Sequence, residues 1–150
     1  MPDQYDQYDL YRFVEAQQPV YAQVLDELRS GRKRSHWMWF IFPQLAGLGR
    51  SDMARRYALA GLDEARAYCD HPLLGARLLE CSALAAAIPQ RSIAAIFGTP
   101  DDLKFHSCMT LFARAAPHAD IFVHCLQKYF DGRPDSATLA LLTNSHQDPA

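Results

Sequence analysis

Apolar positions along this chain recur at steps of three and four, with no stretch of strict alternation, which is the pattern of helices that each bury one face. Leu10, Phe13 and Val14 form the first such stripe, with Asp9 as a candidate N-cap. Pro19 suits the first turn of a second helix, whose stripe is Val20, Val24, Leu25 and Leu28 and whose stop signal is Gly31. Ser51 can cap a helix through Tyr57 and Leu59, Gly61 breaks it, and Leu62 to Cys69 makes another. His71-Pro72 opens a long helix with Leu73, Leu74, Leu78, Leu79, Leu84 and Ile88 inward, closed by Pro89. Gly75 inside it costs about 1 kcal/mol relative to Ala, a sign of close packing or of a ligand.

The second half repeats the logic. Ser92 begins a short helical piece ending at Phe97-Gly98, and Thr99-Pro100-Asp101-Asp102 starts a helix reaching to about Ala115. Asp120 starts another through Phe130, stopped by Gly132, and Asp135 or Ser136 starts the last, through Leu142. Trp37 to Phe42 is a run of six apolar residues stopped by Pro43, a buried strand or a buried helical turn, and periodicity does not decide between them. The expectation is an all-α chain forming a single compact domain of eight to nine helices over residues 1–150, with 1–8 and 144–150 as loose arms.

Composition narrows the class. At 150 residues, 49% hydrophobic and 21% charged, the chain can build a core without metals or disulfides. A net charge of −2 disfavours general nucleic-acid binding. The N-terminus lacks the regions of a signal peptide and no apolar run is long enough to span a bilayer. Cys69, Cys81, Cys108 and Cys125 form no CxxC pair, so the expected location is the cytoplasm, with the thiols reduced and mostly buried.

Several segments carry a family likeness. They are Tyr11-Arg12-Phe13 with Ala16-Gln17, Gly31-Arg32-Lys33 through Gln44, Gly47-Leu48-Gly49-Arg50-Ser51, and His71-Pro72-Leu73-Leu74-Gly75-Ala76-Arg77-Leu78. Ile96-Phe97-Gly98, Asp101-Asp102-Leu103-Lys104, Ser107 to Phe112 and Phe130-Asp131-Gly132 continue it. On these residues the chain resembles Domain of Unknown Function family 1810 from about residue 8 to about residue 143. That is a mostly helical group of small bacterial proteins, some of which carry the label calpastatin without a physical basis in these residues. The resemblance implies a helical single domain and brings no reaction, cofactor or partner with it.

The candidate chemistry lies in Gly31-Arg32-Lys33-Arg34-Ser35-His36-Trp37-Met38-Trp39, where three cations and a Ser-His pair run into both tryptophans. Arg32, Lys33 and Arg34 can surround a phosphate or carboxylate, Ser35 offers a hydroxyl, and His36 is the candidate acid or base. Trp37 or Trp39 can stack on a ring, and Gln44 follows before a glycine loop. The competing reading is a solvated basic loop leading into core. Gly47 to Ser51 is a glycine loop entering a helix, with Arg50 and Ser51 as donors, and it fits neither the P-loop nor the dinucleotide pattern. Its plain reading is a turn with Ser51 as N-cap. Lys104, Ser107, Thr110, Leu111 and Arg114 share a helix face that can line a pocket opposite the first segment. The plain reading pairs Lys104 with Asp101 and back-bonds the hydroxyls to carbonyls.

His71 near Cys69, His106 near Cys108 and His124 beside Cys125 lack zinc spacing, so no metal is expected, and no cofactor is implied. Cys108 is not activated locally by His106, because positions two apart face different ways on a helix. Two functions fit. One is a pocket for a phosphate-bearing, nucleotide-like anionic small molecule lined by the Gly31 to Trp37 segment. The other is a non-catalytic module docking an acidic protein partner through the same cations. Substrate, reaction and oligomeric state are not encoded legibly.

Overall fold

The computed structural model describes residues 6–147, which form ten helices and no strand. Residues 1–5 and 148–150, parts of the two expected arms, lie outside the described residues, whereas 144–147 of the expected C-terminal arm are helical. The helices are α1 (Tyr11–Gln17), α2 (Tyr21–Arg29), α3 (Met38–Ile41), α4 (Asp52–Arg56), α5 (Leu62–Asp70), α6 (Leu74–Ala86), α7 (Ile93–Phe97), α8 (Asp101–Ala115), α9 (Asp120–Phe130) and α10 (Ser136–Gln147). The tenth helix, beyond the eight to nine expected, is α3, the apolar run that periodicity left open. No helix among the described residues is long and apolar enough to cross a membrane.

Local signals set most boundaries. Ser51 and Ser92 each accept a backbone N–H three residues on, at 3.1 Å, and so start α4 and α7. Gly31 closes α2 with φ +80°: its N–H reaches Leu28 O at 3.0 Å and the Arg32 N–H reaches Glu27 O at 3.1 Å. That double closure fixes where the chain goes next. Asp131, with φ 55°, ends α9, and the Gly132 N–H reaches back to Leu126 O at 2.9 Å.

Three expectations change. Asp9 has φ 53° and does not cap α1; Leu10 is the cap position, and Asp6 accepts the N–H groups of Leu10 and Tyr11 at 2.7 and 2.8 Å. α4 stops at Arg56, and Leu59 pairs in a single parallel bridge with Leu45. On α6, Leu74 and Leu78 are buried, whereas Leu73 and Leu79 are exposed, because the inner face rolls toward Cys81, Ser82 and Ala85. Close packing is the answer at Gly75: a Cβ there would stand 2.1 Å from the Cys69 carbonyl oxygen, where α5 and α6 meet.

The core holds two linked aromatic groups. Phe42, Phe97 and Phe105 pack at centroid distances of 4.9–5.8 Å, with Trp37 at 6.3 Å from Phe42. Phe13, Tyr68, Phe112 and Phe122 form a second chain at 5.1–5.7 Å. α8 runs between them with Phe105, Leu111 and Phe112 fully buried, so the segment after Gly31 is pinned between α2, α7 and α8.

Candidate functional site

Glu27 organises the Gly31 to Trp37 segment. It sits on the inner face of α2, three residues after Val24, and is only 2% exposed. Its Oε1 accepts the backbone N–H groups of Arg34 and Ser35 at 2.7 and 3.0 Å and the Trp37 indole N–H at 3.0 Å. Its Oε2 accepts the Ser35 hydroxyl at 2.5 Å and the Gln23 amide at 3.0 Å. Burial alone would push this carboxyl up. The bonds from the Ser35 hydroxyl, the Arg34 and Ser35 N–H groups and the Trp37 indole outweigh burial and hold it at about 2. The segment does cradle an anion, and that anion is the protein's own carboxylate.

Lys33 is engaged in the same way. Its Nζ lies 2.8 Å from Asp101 Oδ2 and 5.2 Å from the Trp37 ring centre, and its N–H reaches Ile96 O at 2.8 Å. Lys104 shares that carboxylate at 3.6 Å and lies 5.4 Å over the Trp39 ring. The two polar stretches therefore meet, at Asp101 in the first turn of α8. Trp37 is sealed in the core and Trp39 is half-buried.

The remaining candidates divide by exposure. Arg32, Arg34 and His36 are exposed, while Lys33, Ser35 and Trp37 between them turn inward. Arg50 and Ser51 are exposed, and the Ser51 oxygen is used as the α4 cap. The Gln44 carbonyl accepts the Leu59 N–H at 3.0 Å, and its side-chain amide faces Gly49. Ser107 Oγ bonds to Leu103 O and to Asp135 Oδ2, both at 3.1 Å, and Thr110 Oγ1 accepts the Asp135 N–H at 2.8 Å. The hydroxyl stripe on α8 thus seats the start of α10. The structure brings Lys33, Ser35 and Trp37 together around internal carboxylates, brings Lys104 and Trp39 beside them, and leaves Gln44, Arg50 and Ser51 in a separate loop.

Other polar groups have structural duties. His71 Nδ1 accepts the N–H groups of Leu73 and Leu74 at 3.2 Å, capping α6. His106 stacks on Phe130 at 3.9 Å, with Nε2 2.8 Å from Arg133 O. Arg12 clamps the carbonyls of Arg56 and Ala58 and pairs with Glu64, each at 2.9 Å. The plain pairing of Lys104 with Asp101 holds at 3.6 Å, and what sequence reasoning missed is Glu27, Arg91 and the second contact of Asp101, to Lys33. Glu27 had a signal, since it is a charge on the inner stripe of α2. Arg91, whose Nη1 donates to Gly31 O at 3.0 Å, had none.

Family and neighbours agree with this architecture. The model of the family described as protein of unknown function (DUF1810) matches residues 7–142. The chain belongs to that family. The DUF1810 chain described here is similar to the conserved hypothetical protein Rv1873 from Mycobacterium tuberculosis, whose crystal structure superposes with a TM-score of 0.91 at 57% identity. The match covers 92% of this chain and 99% of that one. No curated protein matches the chain. That neighbour is itself described as conserved and hypothetical, so the fold transfers and no activity comes with it.

Proposed function

We propose that this protein is a non-catalytic interaction module that docks an acidic partner through a rigid outward strip of Arg32, Arg34 and His36, whose two guanidinium groups supply the positive charge. One observation carries the reading: Glu27 gathers five hydrogen bonds from residues 23–37, which fixes the inward side of the segment and leaves 32, 34 and 36 outward. A strip held this way loses little conformational freedom on binding, so its charges act at low entropic cost. Exposed cations chiefly set encounter rate and partner choice, and they are screened by salt. Four free thiols fit a reducing, cytoplasmic setting for such a module.

The test is binding of a fluorescent glutamate-rich peptide to the wild-type chain and to Arg32→Glu plus Arg34→Glu. The double variant should retain its helical circular dichroism and lose at least about tenfold in affinity at low salt. Equal affinity would end the proposal.

A small anionic ligand is the second reading, favoured by the meeting of Lys33 and Lys104 at Asp101 beside the half-buried Trp39. His36 is its candidate acid or base. Its test is a shift in melting temperature across nucleotides and sugar phosphates. A shift abolished by Lys104→Met would favour it over docking.

A further inference from the structure

We infer that the acidic partner carries a bulky apolar side chain, and that this side chain seats in the hollow between the C-terminal ends of α2 and α6. The inference rests on the docking reading above and deepens it. The hollow holds about 480 Å3. Its floor is Leu84 and Pro89 over the buried Leu28 and Ile88, its rim carries Arg29 and Arg91, and no carboxylate among the described residues lines it. Gly31 belongs to both features, as the last wall of the hollow and the residue before Arg32. Arg91 joins them: its Nε lies 3.6 Å from the place a Gly31 Cβ would take, and its Nη1 holds the Gly31 carbonyl at 3.0 Å.

Two helix C-termini would ordinarily give such a place a negative field. Here most of their carbonyls are already answered. Lys128 Nζ donates to Ala86 O and Ile88 O at 2.6 Å, the Tyr129 hydroxyl donates to Ala85 O at 2.6 Å, and the turn at Gly31 closes α2. What faces outward is an apolar floor framed by guanidinium groups and continuous with the cationic strip. That combination matches an acidic segment with one apolar anchor. A free phosphate would use the rim and leave the floor wet. A neutral apolar peptide would use the floor and ignore the rim.

The experiment compares two ten-residue fluorescent peptides, each with four glutamates flanking a central Phe or a central Gly, on the full chain by anisotropy. Burying the anchor should tighten the Phe peptide by about tenfold or more over the Gly peptide. Ala87→Trp, on the exposed edge of the hollow, should erase that gain and leave the Gly peptide unchanged. Ala87→Asp serves as a second variant if the indole disturbs folding, and it should weaken the Phe peptide more than the Gly peptide. No preference for Phe, or a preference that survives both substitutions, would overturn the anchor pocket. So would displacement of both peptides alike by millimolar inorganic phosphate. The docking strip fails separately, if Arg32→Glu plus Arg34→Glu alters neither peptide.

Discussion

At the scale of single residues, Glu27 decides the local conformation. Its carboxyl is held at about 2 against an ordinary 4.5, so the unfolded chain binds the extra proton between those values. Stability therefore rises with pH across that window, is fully present above about 4.5, and is lost as pH falls toward 2, a contribution on the order of 3 kcal/mol. Glu27→Gln keeps the shape but gives up the charge-assisted bonds and should cost about 1–3 kcal/mol at pH 7. Urea unfolding of both proteins from pH 7 to pH 2 checks this: the gap between them should close toward the acid end, and a pH-independent gap would refute the assignment. The Lys33–Asp101 pair makes a second, asymmetric prediction. Asp101 keeps Lys104 at 3.6 Å when Lys33 is lost, whereas Lys33, with a side chain 7% exposed, keeps no carboxylate among the described residues when Asp101 is lost. Asp101→Asn should therefore destabilise by about 2–4 kcal/mol and Lys33→Met by clearly less. Denaturant midpoints in the reverse order would contradict the pairing.

At the scale of elements, α5 and α6 approach each other closely at Gly75. A methyl group there meets a backbone carbonyl at 2.1 Å, and a backbone atom moves only with its helix. Gly75→Ala should cost at least about 2 kcal/mol in denaturant midpoint, although alanine favours helices everywhere else. A stabilised variant would mean that the two helices slide apart freely. The sequence showed this position as an anomaly inside a helical pattern, and the packing supplies its cause. Serine caps and the Gly31 stop were legible because they are local chemistry, complete within four residues. The Trp37 to Phe42 run was not, because a segment buried on all sides shows no amphipathic period. Asp9 misled because the cap of α1 comes from Asp6, three residues earlier and outside the usual spacing.

At the scale of the whole molecule, the identity of the candidate site depends on partners distant in sequence. Ser35 and Trp37 read as free donors until Glu27 is brought against them, and Lys33 reads as a free cation until α8 delivers Asp101. In the Gly31 to Trp37 segment, the outward residues Arg32, Arg34 and His36 keep the exposure that the pattern implied. The same packing governs the thiols. Burial pushes Cys81 and Cys125 up to about 12 and Cys108 well above its ordinary value, and half-buried Cys69 also rises to about 12 through burial and the nearby Asp70. The thiolate is the reactive form, so at pH 8 the native protein holds almost none. Labelling by a disulfide reagent should then be slow, with Cys69 alone accessible in the native state and the other three reacting only through opening of the fold. When reclosing outpaces reaction, that rate follows the open population. A loss of about 3 kcal/mol, as expected for Glu27→Ala, should speed labelling of the buried three by about a hundredfold while urea lowers both barriers in parallel. Rapid stoichiometric labelling of Cys108 in the wild-type chain would break the link between the Glu27 network and the cohesion of the core. Labelling that stays unchanged in Glu27→Ala would show that the strip can come loose while α8 and α9 remain closed.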